Sequence, residues 1–325
     1  MRRRHFLITA AAGLMCLCSR TYAQQQRVPV VGLLVTHPPL TDPMFDVVRA
    51  GMRHFGYEDG VNIRIEVRTA LGHLERVPEL AKELVELKPV AILVLNEIAI
   101  RALKEATSTI PIVMVGWTVN DPVATGLIDA YARPGGNVTG IYTMDSMLIA
   151  KRLEVLKEAL PQVSRVAVLW DSSFGRHQVD ELQRAAQVLG LELQPIDVRS
   201  PQDLEPALRT AKRNGAGALL LSYSPWFWVH KARIAELALQ AKLPTVGEYH
   251  QFVEAGGLLS YGSSGPDNWV RAGYYVDRLL KGAKVADLPV EQVSTFKLTV
   301  NLKTAKALGI KFPQSILVRA DEVIR

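Results

Sequence analysis

Five short apolar runs constrain this chain more than anything else in it. Residues 30–35, 91–95, 112–115, 166–170 and 218–221 are apolar almost without interruption, and they do not alternate with polar residues. A strand that reads this way is buried on both faces, as in a parallel sheet covered by helices. Between and beyond the runs lie segments of helical period, at 44–55, 74–87, 98–106, 147–159, 179–189, 204–214, 229–241 and 269–280. Strand followed by helix followed by strand implies right-handed crossovers and an open α/β sheet. The runs are far shorter than the roughly 20 residues that span a bilayer.

The alternation occurs twice, once from Val30 and again from Val166. Ile110-Pro111-Ile112-Val113 and Leu243-Pro244-Thr245-Val246 hold matching places in the two series. A chain of 325 residues also exceeds one typical domain. Two similar α/β lobes are therefore expected. The Gly-rich stretch Arg133 to Gly140 ends the first series and Tyr261-Gly262-Ser263-Ser264-Gly265-Pro266 ends the second. About sixty residues follow, with a helix and a further strand at 296–300. The economical path takes them back to the first lobe and then again to the second. The expected fold is two Rossmann-like lobes with parallel sheets, joined by a three-stranded hinge. The first lobe comprises 28–143 plus about 264–290, and the second 144–263 plus about 291–325. The cleft between them would be lined by loops at the carboxyl ends of strands, where open α/β sheets bind ligands.

Residues 1–23 read as an export signal. Arg2, Arg3 and Arg4 precede a mostly apolar stretch from Phe6 to Leu17, and Thr21-Tyr22-Ala23 offers a small-x-small cleavage site after Ala23. Arg3-Arg4-His5-Phe6-Leu7 also resembles a twin-arginine pattern, so the export route stays open between the two systems. The whole chain has a formal charge of +6. Taking the four arginines of 1–23 from the 38 basic residues leaves 34 against 32 acidic ones. That balance gives no reason to invoke nucleic acid. Both cysteines, Cys16 and Cys18, fall in the same segment, so the mature chain has no disulfide, thiolate nucleophile or cysteine metal site. A periplasmic, monomeric protein is expected.

Catalytic chemistry leaves no trace in the pattern. The six histidines after the leader have no metal-ligand spacing, and no His-Glu-x-x-His occurs. Gly262-Ser263-Ser264-Gly265 is too short for a nucleophile elbow, and there is no Walker A loop. Gly215-Ala216-Gly217 precedes its strand, whereas a dinucleotide fingerprint follows one. A binding protein without cofactor or metal is favoured over an enzyme.

Several phrases then narrow the class. They include Phe252 to Gly262, Gly282-Ala283-Lys284, Asp287 to Gln292, Asn301 to Ile310 and Arg319 to Ile324. Pro134-Gly135-Gly136-Asn137-Val138-Thr139-Gly140, Asn120-Asp121-Pro122-Val123 and Lys151 to Lys157 agree with them. Together they resemble the ABC transporter substrate-binding protein family that includes the TrpX-type proteins. The resemblance implies a type I periplasmic-binding-protein fold that closes on a small solute and hands it to a permease in the inner membrane. This chain departs from many relatives at Asp171-Ser172-Ser173-Phe174 and at Asn96-Glu97, both cleft positions.

Position after the strands names the candidate ligand contacts. In the first lobe these are Thr36, His37, Asn96, Glu97, Trp117 and Thr118; in the second they are Asp171, Phe174, Ser222, Tyr223, Glu248 and Tyr249. Helix N-termini beside them favour a carboxylate. Asp171 and Glu248 offer partners for an ammonium, while Trp117, Phe174 and Tyr223 offer apolar walls. An amino acid or related carboxylate fits such a set. Asp171 and Ser222 fit helix-capping roles equally well. Trp226-Phe227-Trp228, which opens a helix, suits either the cleft edge or a docking surface. A ligand sensor feeding a signalling partner would share every cleft residue with a transport receptor.

Overall fold

The computed structural model describes residues 28–325 except 119, 120 and 175; of Trp117, Thr118, Asp145, Ser146, Met147 and Phe174 it describes only the backbone. The export segment 1–23 lies outside the described residues.

The first series runs β1 (Val30–Val35), α1 (Met44–Arg53), β2 (Arg64–Thr69), α2 (Val77–Glu86), β3 (Ala91–Asn96), α3 (Glu97–Ala106), β4 (Ile112–Thr118) and β5 (Val138–Met144). The second runs α4 (Asp145–Ala159), β6 (Arg165–Trp170), α5 (His177–Leu189), β7 (Glu192–Asp197), α6 (Pro201–Arg213) and β8 (Ala218–Leu221). It continues through α7 (Pro225–Val229), α8 (Lys231–Gln240), β9 (Thr245–Gly247), α9 (His250–Glu254) and β10 (Leu259–Ser263). The tail adds α10 (Gly265–Leu280), β11 (Val290–Gln292), β12 (Phe296–Asn301), α11 (Leu302–Leu308), α12 (Gln314–Arg319) and β13 (Glu322–Ile324).

These strands make two sheets. One has the order β11-β5-β4-β3-β1-β2, the other β13-β12-β10-β9-β8-β6-β7. Five strands of each sheet share one winding: β2-β1-β3-β4-β5 corresponds to β7-β6-β8-β9-β10. This is the structural form of the doubled pattern. The first sheet is parallel throughout. The second is parallel except where β12 runs antiparallel to β10. That exception follows from the path of the chain, because β12 enters from the opposite lobe.

Both faces of each sheet are packed. In β1, Leu34 faces a core with α2 and α3, while Val31 and Leu33 face one with α1 and α10. In the second sheet Val166 and Val168 face one core, and Ala167 and Leu169 the other. Each fully buried Val, Leu or Ile contributes about 1.5–3 kcal/mol relative to exposure, which is why uninterrupted apolar runs mark these central strands.

The chain crosses between lobes three times. α4 follows β5 directly and packs on α5 and β10 of the second lobe. α10 returns to pack on α1 and β4. β11 then pairs with β5 before β12 joins β10. A glycine permits the return: a Cβ on Gly51 in α1 would sit 2.4 Å from the Trp269 carbonyl oxygen of α10. This close approach plants α10 at the mouth of the first lobe.

Candidate functional site

A cavity of about 570 Å³ opens between the lobes. On the first-lobe side its wall begins at the end of β1 and β3. Thr36 and Asn96 both line it and are almost fully buried, at 2 % and 4 % exposure. Asn96 is extended and caps α3, its Oδ1 accepting from the Ala99 N–H at 3.1 Å, while its Nδ2 donates to Thr36 Oγ1 at 3.0 Å. The register between β3 and β4 shifts between Val94 and Asn96. A Cβ on Gly116 of β4 would lie 2.1 Å from the Leu95 carbonyl oxygen, so the missing side chain makes room for that irregularity. The second lobe uses the same device, with Gly262 of β10 against the Glu248 carbonyl oxygen at 2.1 Å. Further round the first-lobe wall, Asp42, Met44 and Val47 come from the loop after β1 and from α1, and Asn268 and Trp269 from α10.

The second-lobe wall is aromatic and charged. Tyr223, Pro225, Trp228, Lys231 and Tyr249 line it. Ser224 caps α7 by accepting from the Trp226 N–H at 3.1 Å, and Pro225 occupies the first turn. This start aims Trp228 across the gap, where its indole Nε1 donates to Asp42 Oδ2 at 3.2 Å. Asp42 Oδ1 accepts from the Met44 N–H at 2.8 Å, so one carboxylate orders the α1 entrance and ties the lobes together. Tyr249 meets the Trp228 ring edge-on at 4.9 Å. Lys231 Nζ lies 4.5 Å from the centroid of that ring and donates to the Trp228 carbonyl at 3.1 Å. Burial holds the Lys231 ammonium below its ordinary range, against the opposing pull of Asp42 and Glu254.

Of the residues expected from position, Thr36, Asn96, Tyr223 and Tyr249 come together around this cavity. Ser222 and Glu248 instead line a second, much smaller cavity of about 20 Å³ beneath Trp228 and Tyr249. Asp171, Glu97 and His37 line neither. Asp171 and Glu248, expected as partners for a solute ammonium, have oxygens engaged by neighbours in the second lobe. Asp171 Oδ1 accepts from the Ser173 N–H at 3.0 Å and the Ser173 hydroxyl at 2.5 Å, and Oδ2 accepts from Ser224 at 2.8 Å. Glu248 Oε1 lies 3.3 Å from Arg152 Nη2, with both side chains almost wholly buried. Arg152 Nε also donates to the Tyr261 carbonyl at 2.9 Å. The hydrogen bonds of Asp171 and the ion pair of Glu248 thus stay within the second lobe. Glu97 binds Arg101 one turn along α3, at 2.6 Å. His37 sits where the lobes meet; burial pushes its imidazole down to about 4, with Asp171 opposing and His230 adding to the shift. The side chains of Trp117, Thr118 and Phe174 lie outside the described residues.

Position after a strand misses Asp42, Trp228, Lys231, Asn268 and Trp269. They stand several residues past a strand end or on the returning helix, and only the Trp226-Phe227-Trp228 cluster carried a signal for any of them. Among the described residues no group of three or more His, Cys, Asp or Glu could hold a metal ion. Among the same residues no helix is long and apolar enough to cross a membrane.

Two lobes of one winding, joined by three crossings and facing each other over a walled cavity, define a bilobal solute-binding protein. The chain belongs to the ABC transporter substrate binding protein family, whose model matches residues 28–324. It is 27% identical over 297 residues to a tyrosine-binding protein of Clostridioides difficile (strain R20291), covering 90% of this chain and 84% of that one. Among solved structures it is similar to an ABC domain from Streptococcus pneumonia in complex with L-Trp. The TM-score is 0.78 at 27% identity, over 91% of this chain and 99% of the other. A conserved domain protein from Vibrio cholerae has a TM-score of 0.80 at 25% identity, over 91% of this chain and 100% of the other.

Proposed function

We propose that this protein is exported, cleaved after Ala23, and captures an amino acid with an aromatic side chain in the periplasm for delivery to an ABC permease. It acts as a monomer and makes or breaks no covalent bond. The lobes divide as 28–143 with about 264–290 and 144–263 with about 291–325, and they turn about the three crossings. Thr36, Asn96, Tyr223 and Tyr249 contact the solute, joined by Trp228 and Trp269.

The observation that carries this reading is the composition of the cavity wall. Flat aromatic surface from Tyr223, Trp228, Tyr249 and Trp269 encloses a space within the usual range for small-molecule sites. The polar side chains Thr36, Asn96 and Asn268 come from the first-lobe strand ends and α10, whereas three of the four rings come from the second lobe. That division suits a solute with an apolar ring at one end and hydrogen-bonding groups at the other. Ring stacking adds about 0.5–1.5 kcal/mol per aromatic pair beyond area burial. The tyrosine- and tryptophan-binding relatives support the same class. Closure follows because a bridging solute contacts both walls only in the closed form, and a ligand shifts an equilibrium by its differential affinity.

A thermal-shift screen on protein refolded from denaturant tests this. L-tryptophan or L-tyrosine at about 100 times its dissociation constant should stabilise the folded state by roughly 2.7 kcal/mol. A response to sugars or polyols with none to aromatic amino acids would overturn the reading.

A further inference from the structure

Lys231 is the one lysine or arginine among the described residues that line the cavity. It is the first residue of α8, a ten-residue helix whose opening N–H groups receive no side-chain cap. Those groups add positive potential at the same spot. What Nζ meets directly is neutral: the Trp228 carbonyl at 3.1 Å and the face of the Trp228 ring. An ammonium has three donors, so one hydrogen bond leaves donors for a solute. Asp42 and Glu254 act on this cation electrostatically. However, both oxygens of Asp42 are already taken by Met44 and Trp228, and Glu254 is exposed. Asp42 and Glu254 offset part of the cost of burying this cation, and an anion in direct contact would offset more. Tyr249 and Trp228 offer ring surface beside this point, so a solute ring resting on them would leave its carboxylate within reach of Lys231.

We propose that Lys231 anchors the carboxylate of the solute, so that the cavity selects aromatic carboxylates and rejects uncharged solutes of the same shape. The proposal rests on the solute-binding reading above and names the residue that sets its specificity. A hydrogen bond between ammonium and carboxylate is charge-assisted, and roughly twice as strong as a neutral one. The Trp228 indole fixes the anchor in place, because the same ring accepts the Lys231 cation on its face and is held by Asp42 at its edge. Asp42 belongs to the first lobe, so its bond to Trp228 couples carboxylate binding at Lys231 to closure.

Isothermal titration calorimetry of the refolded full chain tests this with three matched pairs of probes. L-tryptophan and L-tyrosine carry both charged groups, L-tryptophanamide and L-tyrosinamide lack the carboxylate, and indole-3-propanoate and 3-(4-hydroxyphenyl)propanoate lack the ammonium. The four carboxylates should bind, and each amide should bind roughly tenfold to hundredfold more weakly than its parent. In Lys231→Met, which keeps the aliphatic stem, the gap between acid and amide should collapse; Lys231→Arg should restore most of it. Equal affinity of acid and amide for the unaltered chain would overturn the anchor and leave the aromatic site standing, and this comparison needs no variant to fold. An undiminished gap in a folded Lys231→Met would do the same. Failure of all six probes would overturn the anchor together with the proposed solute class.

Discussion

The two lobes share one winding yet bring different chemistry to the gap. The first presents a hydrogen-bonding floor with Asp42 as its acid, in which Asn96 is held by its own helix cap and by Thr36. The second presents a set of rings and one cation, most of them carried on helices that begin at Pro225 and Lys231. Even the acidic residues differ in purpose. Asp42 of the first lobe reaches out to Trp228, whereas Asp171 and Glu248 of the second turn inward. A duplicated scaffold therefore fixes where loops emerge, and the residues on those loops decide which lobe grips and which completes the wall.

The inward-turned ion pair gives the largest expected effect. Arg152→Met should cost about 3–5 kcal/mol in urea unfolding, because it strands Glu248 in a buried site. Replacing both partners with apolar residues should recover much of that loss; no recovery would mean that Arg152 stabilises through Tyr261 instead. The second effect is a pH dependence at the junction of the lobes. The His37 imidazole is neutral when buried and lies near 4 in place of its ordinary 6.5. Opening or unfolding restores the higher value and takes up a proton. Stability of the closed form should therefore be complete above about pH 6.5 and decline as pH falls from about 6.5 towards about 4. His37→Gln should flatten that profile in a thermal melt, and an unchanged slope would assign the dependence elsewhere.

Trp228→Phe should have a smaller effect, since it keeps the ring and removes only the indole donor to Asp42. Solute affinity should fall by about tenfold, near 1.5 kcal/mol, with urea stability of the second lobe unchanged. The smallest effect belongs to Glu97→Ala. Its partner Arg101 is half exposed, the pair is one helical turn apart, and its loss should cost about 0.3–0.5 kcal/mol with no change in affinity. A clear loss of binding would place Glu97 at the solute after all.

Much of this was legible in the chain itself, and the reasons are specific. The central strands announce themselves because both faces are buried. β2 and β7 do not, because they are edge strands with half-exposed patterns, so their sequences RIEVRT and ELQPID carry polar residues throughout. Thr36, Asn96, Tyr223 and Tyr249 could be placed because a cleft residue at a strand's end, or one or two positions past it, follows from topology alone. Asp42 lies seven residues past β1 and Lys231 ten past β8, where position no longer dictates direction. Nor can a sequence show that a carboxylate is already occupied. Asp171 and Glu248 stand where a solute partner would, and only the coordinates reveal Ser224 and Arg152 beside them.

The interleaved path of the chain has a consequence for its synthesis. The first sheet waits for Val290–Gln292 to supply one edge, and the second waits for Glu322–Ile324. Domains generally mature from the amino end as they leave the ribosome, but here neither half can be finished early. A nascent polypeptide of this design stays incompletely assembled, with bare sheet margins, until residues 322–324 have emerged. Any chaperone that escorts it must act until that segment has been made, and truncations removing Glu322–Ile324 should leave one margin open to aggregation.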